Sequence, residues 1–275
     1  MAKDCNNTSC SRESCEGCPS RANPQSLKAP MNAESRIRHV IGIISGKGGV
    51  GKSSVTAMLA VWLKKQGFRV GILDADITGP SIPRMFGVSD LGGVIGQTML
   101  PGETAQGIKV VSINLVLEQE DQPVLWRGPV IGGVVRQFWS DVCWGELDYL
   151  LIDMPPGTGD VALTVFQSLP VDGVYLVASP QSLVEMVVKK AYHMAQLMKI
   201  PVLGVIENFS YVTCPGCGEK IRLFGESRLG EWCEETGLPL AASLPLDPAL
   251  SAYADSGQME AYEADLSDAA RFLPR

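Results

Sequence analysis

The chain has 275 residues, room for one large domain or two small ones at about 150 residues each. With 45% hydrophobic and 19% charged residues it can bury an extensive core, which excludes wholesale disorder. Its 23 basic and 30 acidic residues leave a net charge of -7, which disfavours sequence-independent binding to phosphate backbones, so no nucleic-acid partner is expected.

Residues 1 to about 35 are rich in Ser, Asn and Cys and follow neither a period of 2 nor one of 3.6. That is the pattern of a tail whose ordering would require a ligand. From His39 onward, apolar runs of strand length alternate with helical stretches, as in an α/β domain. The spacing predicts strands at Val40–Ser45, Val70–Leu73, Lys109–Leu115, Tyr149–Asp153, Gly173–Ala178, Val202–Glu207 and Leu240–Leu244. It predicts helices at Lys52–Gln66, Gly132–Val142, Val161–Ser168, Leu183–Met198, Ser227–Thr236 and Pro248–Asp255, with a small hairpin insertion inside Gly87–Gly107. Most strand runs are continuously apolar, as strands covered on both faces should be. The expected fold class is therefore α/β, a mostly parallel sheet with helices on both faces, organised as a cysteine-rich tail over residues 1–37 and one domain over 38–275.

No apolar run approaches the roughly 20 residues that span a bilayer, and the first 35 residues hold no signal-type segment. A cytoplasmic location without a membrane partner is the expectation. In that compartment the eight cysteines read as metal ligands or free thiols rather than disulfides.

Directly after the first apolar run comes Gly46-Lys47-Gly48-Gly49-Val50-Gly51-Lys52-Ser53, which fits G-x-x-x-x-G-K-[ST] between a strand and a helix. Glycines in this order permit a backbone nest whose N–H groups face phosphate oxygens, and the following helix adds its positive N-terminal end. Lys52 is expected at the β and γ phosphates, Ser53 offers its hydroxyl to Mg2+, and Ser54 completes the nucleotide-binding stretch. Two more apolar runs end in acids, Asp74-Ala75-Asp76 and Asp153-Met154-Pro155-Pro156-Gly157, and ligands in open parallel sheets bind outside these carboxyl ends. Asp76 is assigned to positioning the attacking water, Asp74 to the surroundings of Mg2+, and Asp153 to the metal through water. Each alone could equally be a turn or helix cap.

The second lysine of the loop, Lys47, resembles the signature of the deviant phosphate loop of the MinD/ParA/nitrogenase-iron-protein class. That resemblance implies that Lys47 reaches across a dimer interface to the partner's nucleotide and stabilises the transferred phosphoryl group. Asp74-Ala75-Asp76-Ile77-Thr78-Gly79-Pro80-Ser81-Ile82-Pro83, Asp153-Met154-Pro155-Pro156-Gly157-Thr158-Gly159-Asp160, Glu207-Asn208-Phe209-Ser210 and Cys214-Pro215-Gly216-Cys217-Gly218 together resemble the Mrp/Nbp family over residues 38 to 260. These are ATPases that act as scaffolds or carriers in iron-sulfur cluster assembly. The resemblance implies ATP/ADP and Mg2+ binding, a homodimer, a [4Fe-4S] cluster held between subunits, delivery to apo iron-sulfur proteins, and an adenine contact by Asn208. It also implies that nucleotide binding and hydrolysis, driven by Lys47 and Asp76, alter dimer geometry and so access to the cluster.

Cys214 and Cys217 are consistent with that implication, because a C-x-x-C supplies two thiolates where a cubane or a tetrahedral zinc needs four. A twofold axis would supply the other pair. Structural zinc and a redox dithiol remain alternatives at this spacing. In the tail, Ser14-Cys15-Glu16-Gly17-Cys18-Pro19 resembles the N-terminal cluster motif of the eukaryotic-type members. Cys5, Cys10, Cys15 and Cys18 provide four thiolates for one further [4Fe-4S] centre, against labile metal binding by a mobile tail. A small additional domain that precedes the ATPase in some bacterial relatives is not expected here. Cys143 and Cys233 read as ordinary half-buried thiols, and His39 and His193 receive no role. Two functions compete with the carrier: a MinD/ParA-type positioning ATPase and a nitrogenase-like ATP-dependent reductase.

Overall fold

The computed structural model describes residues 28–76, 79, 81–96, 98–116 and 128–275. In chain order the elements are β1 (Arg36–Ser45), α1 (Lys52–Lys65), β2 (Val70–Asp74), α2 (Ile82–Phe86), β3 (Gly93–Ile95), β4 (Thr98–Leu100), β5 (Gly102–Glu103) and β6 (Lys109–Ser112). They continue with α3 (Gly128–Ser140), β7 (Glu146–Asp153), α4 (Asp160–Ser168), β8 (Gly173–Ala178), α5 (Ser182–Leu197), β9 (Val202–Thr213), β10 (Lys220–Ile221), α6 (Leu229–Thr236), β11 (Leu240–Pro245), α7 (Pro248–Asp255) and α8 (Ser267–Ala270).

The main sheet runs β10-β9-β8-β1-β7-β2-β6-β5, with β11 also paired to β9. Pairings are parallel except for the short edge partners β5 and β10. Successive side chains of a strand point to opposite faces, and the central strands use this to serve two cores. Val40 and Ile44 of β1, Leu150 and Ile152 of β7, and Val174 and Leu176 of β8 pack on the face covered by α3 to α6. Ile41 and Ile43, Tyr149 and Leu151, and Tyr175 and Val177 pack on the face covered by α1, α2 and α7. Apolar residues on both faces give the uninterrupted runs from which these strands are legible.

Strand order places the functional loops. β1 lies between β7 and β8, so the connection from β1 crosses β7 to reach β2, while β7 crosses β1 to reach β8. The chain thus departs from β1 to one side and from β7 to the other, and a crevice opens between their carboxyl ends.

Four expectations are corrected. The strand from Val202 does not stop at Glu207 but continues to Thr213 and pairs there with β10. The run from Lys109 is a strand only to Ser112, and Ile113–Leu115 forms a 3-10 turn. Helices α2 and α8 were not anticipated. The described end of the N-terminal segment, residues 28–35, is tied to the domain by hydrogen bonds rather than hanging free as a tail. Its Ala29 N–H donates to Ser168 O at 2.7 Å, Trp139 Nε1 donates to Ala29 O at 3.1 Å, and Ser35 Oγ accepts from Trp144 N–H at 2.9 Å. Each of these bonds joins a backbone group to a partner on a distant element, which leaves no periodicity in the sequence. The hairpin inside residues 87–107 is present as β3 with β4.

Candidate active site

The loop after β1 reaches α1 through two residues in the left-handed region, Gly49 (φ +80°) and Gly51 (φ +78°), which glycine adopts without a side-chain clash. Helix α1 then begins with no side-chain cap and no acid in its first turn. By contrast α7, remote from the loop, has the ordinary cap, with Asp247 Oδ1 accepting from Ala249 N–H at 2.9 Å and Pro248 following. Leaving the first N–H groups of α1 unpaired keeps donors and positive dipole available for an anion. The loop lines a cavity of 180 Å3 together with Asp76 and Pro156, and Ser54 faces the same space.

Lys52 is the centre of a buried cluster. Its Nζ donates to Asp153 Oδ1 at 2.7 Å, lies 3.4 Å from Ser53 Oγ and stands 3.5 Å from Asp76 Oδ2. Asp153 is fully enclosed and also accepts from Ser53 Oγ at 2.5 Å and Thr56 Oγ1 at 2.9 Å. A buried carboxylate is tolerated when it is paired and its oxygens are bonded, and here Lys52, Ser53 and Thr56 supply those partners. Thr56 is a member of this cluster that the motif did not disclose; its place one turn beyond Lys52 was the available signal.

The three acids separate by position. Asp76 is at the cavity. Asp74 is behind it, with Oδ1 accepting from Asp76 N–H at 3.1 Å and Oδ2 bonded to Ser112 Oγ at 3.2 Å. Burial, then the neighbouring Asp153 charge, holds the Asp74 carboxyl well above the usual carboxylate range. Enclosed in this way, Asp74 holds the backbone of Asp76 rather than lining the cavity itself.

Asn208 lies beneath the loop with no exposed surface. Its Nδ2 donates to Val50 O at 3.0 Å, while its Oδ1 has no partner among the described residues. The acceptor that an adenine amine would need is thus spare and the donor is committed. Lys47 Nζ donates to Gln181 Oε1 at 3.0 Å on the surface; Gln181 is a second residue absent from the motif reading.

The cysteine pair sits on the turn between β9 and β10. Gly218 N–H donates to Cys214 O at 2.8 Å and Cys214 N–H to Glu219 O at 2.9 Å, with Gly218 at φ +76°. Cys214 is half-buried and Cys217 exposed. Backbone N–H groups of Cys217 and Gly216 aimed at the Cys214 sulfur lower its pKa, since they favour the charged form. Among the described residues no group of three or more His, Cys, Asp or Glu converges as a metal site, so this turn offers two thiolates. Cys233 is buried in α6 rather than half-buried, and burial followed by the Glu207 charge pushes its thiol up to about 11. Cys5, Cys10, Cys15 and Cys18, like Ile77, Thr78 and Pro80, lie outside the described residues.

Residues 36–274 match the family model described as ParA, NUBPL iron-transfer P-loop NTPase. An iron-sulfur cluster carrier protein of Clostridium perfringens is 46% identical over 268 residues, covering 94% of this chain and 93% of that protein. One from Methanocaldococcus jannaschii is 44% identical, covering 88% and 87%. Among solved structures, the nucleotide-binding protein of Archaeoglobus fulgidus in complex with ADP, with cobalt, is 45% identical at a TM-score of 0.75, covering 84% of this chain and 91% of that one. The cell division ATPase MinD of Pyrococcus furiosus has a TM-score of 0.55 at 21% identity, covering 85% and 94%, a likeness of fold.

Proposed function

The chain belongs to the family of NUBPL-type iron-transfer P-loop NTPases, and from that premise we propose that it hydrolyses ATP while carrying a [4Fe-4S] cluster. In this reading the cluster is cargo, held at a homodimer interface by Cys214 and Cys217 of each copy and passed to apo-proteins. The observation that carries it is one chain presenting both a preorganised phosphate site, Lys52 with Asp153 and Ser53, and a pair of thiols, with lowered Cys214 pKa, on the turn that follows the strand underlying that site.

The residues fit a nucleotide with its metal. The open N-terminus of α1 and Lys52 would hold the phosphates; Ser53 and, through water, Asp153 would hold Mg2+. Mg2+ supplies charge neutralisation on the phosphates. Asp76, aimed by Asp74, orients the water that adds to the γ-phosphorus as the β-phosphate oxygen leaves. Lys47 has a single exposed amide partner, so it is available to swing into the nucleotide of the other copy. Asn208 meets the adenine through its spare Oδ1.

Anaerobic reconstitution with iron and sulfide, followed by iron, zinc and sulfide assay, absorption and Mössbauer spectra, tests the proposal. Wild type gains a [4Fe-4S] cluster and donates it to an apo-protein, while the Cys214→Ala, Cys217→Ala double variant loses the inter-subunit cluster. Equal loading and transfer by that variant, or zinc without sulfide in the wild type, overturns it. Cys5, Cys10, Cys15 and Cys18 would hold a second cluster, seen as iron that survives in the double variant.

A further inference from the structure

Strand β9 touches both functional parts of the chain, and its contacts concentrate at one irregular residue. Phe209 has φ +60°, a left-handed conformation that is strained for a bulky side chain. It is held there against the phosphate loop. A Cβ built on Gly51 would come within 2.2 Å of Asn208 Nδ2 and 2.9 Å of Phe209 Cζ, so the loop rests directly on these two residues. Immediately beyond, Ser210 Oγ lies 2.6 Å from Glu207 Oε2. The other carboxylate oxygen, Oε1, accepts from Ser227 Oγ, which itself accepts from Leu229 N–H at 3.2 Å and so fixes the start of α6. The stretch bearing Cys214 and Cys217 therefore follows the kink at Phe209 through the end of β9 at Thr213 and returns at Ser227, and Ser210 and Ser227, at its two ends, both bond to the buried Glu207.

Building on the carrier reading, we infer that Phe209 is a positioning residue that transmits phosphate-loop geometry to the cysteine turn, with the Glu207–Ser227 contact as the second root. Phosphate entering the loop fixes Gly51 and Val50. Phe209 and Asn208 follow because close-packed contacts move together or not at all. The left-handed kink at Phe209 converts that push into a change in direction of the strand leading to Cys214. The coupling is reciprocal for binding, so a ligand held by the two thiols shifts nucleotide affinity by the factor with which the nucleotide shifts its own.

The test uses the full chain, reduced and free of cluster. Alkylation of Cys214 and Cys217 by iodoacetamide is followed by peptide mass spectrometry with and without Mg2+-ADP, and ADP binding by calorimetry. In the wild type ADP changes the alkylation rate by about fivefold or more, the range of ordinary allosteric coupling. Phe209→Gly accepts the positive φ and removes the ring; it still binds ADP, but its thiol reactivity no longer responds. Ser227→Ala, remote from the loop, also loses most of the response. A full response in Phe209→Gly, or in Ser227→Ala where the glycine variant does not fold, overturns the inference, as does a wild type whose thiols ignore ADP. A purely structural role for Phe209 would alter melting temperature and leave the response in place. Since no cluster is present, failed reconstitution would sink the carrier reading without touching this result.

Discussion

Lys47 and Lys52 belong to one loop, yet their surroundings predict opposite phenotypes. Lys52 is enclosed and paired with Asp153, and removing one member of a buried pair leaves the other charge stranded. Lys52→Ala should lose on the order of 3 kcal/mol of stability together with nucleotide affinity and turnover, read by denaturant titration, calorimetry and phosphate release. Lys47→Ala removes one exposed bond to Gln181 and should stay within about 0.5 kcal/mol of wild type. It should keep ADP affinity and lose turnover; unchanged turnover would end the role in trans. The thiols can be ordered by the same logic. The thiolate is the reactive form, so reactivity rises with pH through each thiol's pKa. Lowered by N–H donors, Cys214 should alkylate at a pH below that of an ordinary thiol, whereas Cys233, pushed up to about 11, should stay inert through pH 9. Peptide mapping across pH 7 to 9 that found Cys233 reacting first would refute the ordering. The loop residues were legible because glycine spacing and a terminal Lys-Ser encode their geometry locally. The contacts of Asp74 were not, since they depend on Ser112 and on Asp153 of neighbouring strands, and sequence order does not reveal those neighbours.

The same contrast holds among the elements. β1, β7 and β8 were readable because both faces are buried and the runs are apolar throughout. β9 was read only to Glu207, where the residues turn polar. Its continuation is Asn208, Phe209 and Ser210, whose partners are the phosphate loop and Glu207 rather than an apolar core, and whose alternation the kink at Phe209 interrupts. That geometry makes Gly51 a tightly constrained position of the loop. Gly51→Ala would place a methyl 2.2 Å from Asn208 Nδ2 in a backbone of φ +78°. The backbone strain alone costs about 1–3 kcal/mol, so the variant should melt several degrees lower and bind ADP more weakly. Gly48→Ala meets no atom within 4 Å and should differ little in stability. A Gly51→Ala protein as stable as Gly48→Ala would show that the loop does not rest on β9.

At the scale of the whole molecule, the proposed dimer must bring together two chains that each carry a charge of -7, and like net charge opposes association. Something local has to outweigh that repulsion. Beside the cysteine turn, Ile221, Leu223 and Phe224 are 47%, 58% and 45% exposed, an apolar patch of the kind that marks association surfaces. A twofold axis through the cysteine pairs would set this patch against its own copy, as an isologous interface requires. Two consequences follow for reconstituted protein in the analytical ultracentrifuge. Dimer should tighten as salt rises from low ionic strength to about 0.15 M, where the screening length falls to about 8 Å, because screening relieves the long-range repulsion and leaves apolar burial and cluster ligation intact. Leu223→Asp with Phe224→Asp should leave ADP affinity unchanged, since neither residue lines the phosphate-loop cavity, but should give monomer and a labile cluster. If that variant dimerised and kept its cluster like the wild type, the interface would lie on another face of the molecule, and the two thiol pairs would need a different geometry to meet.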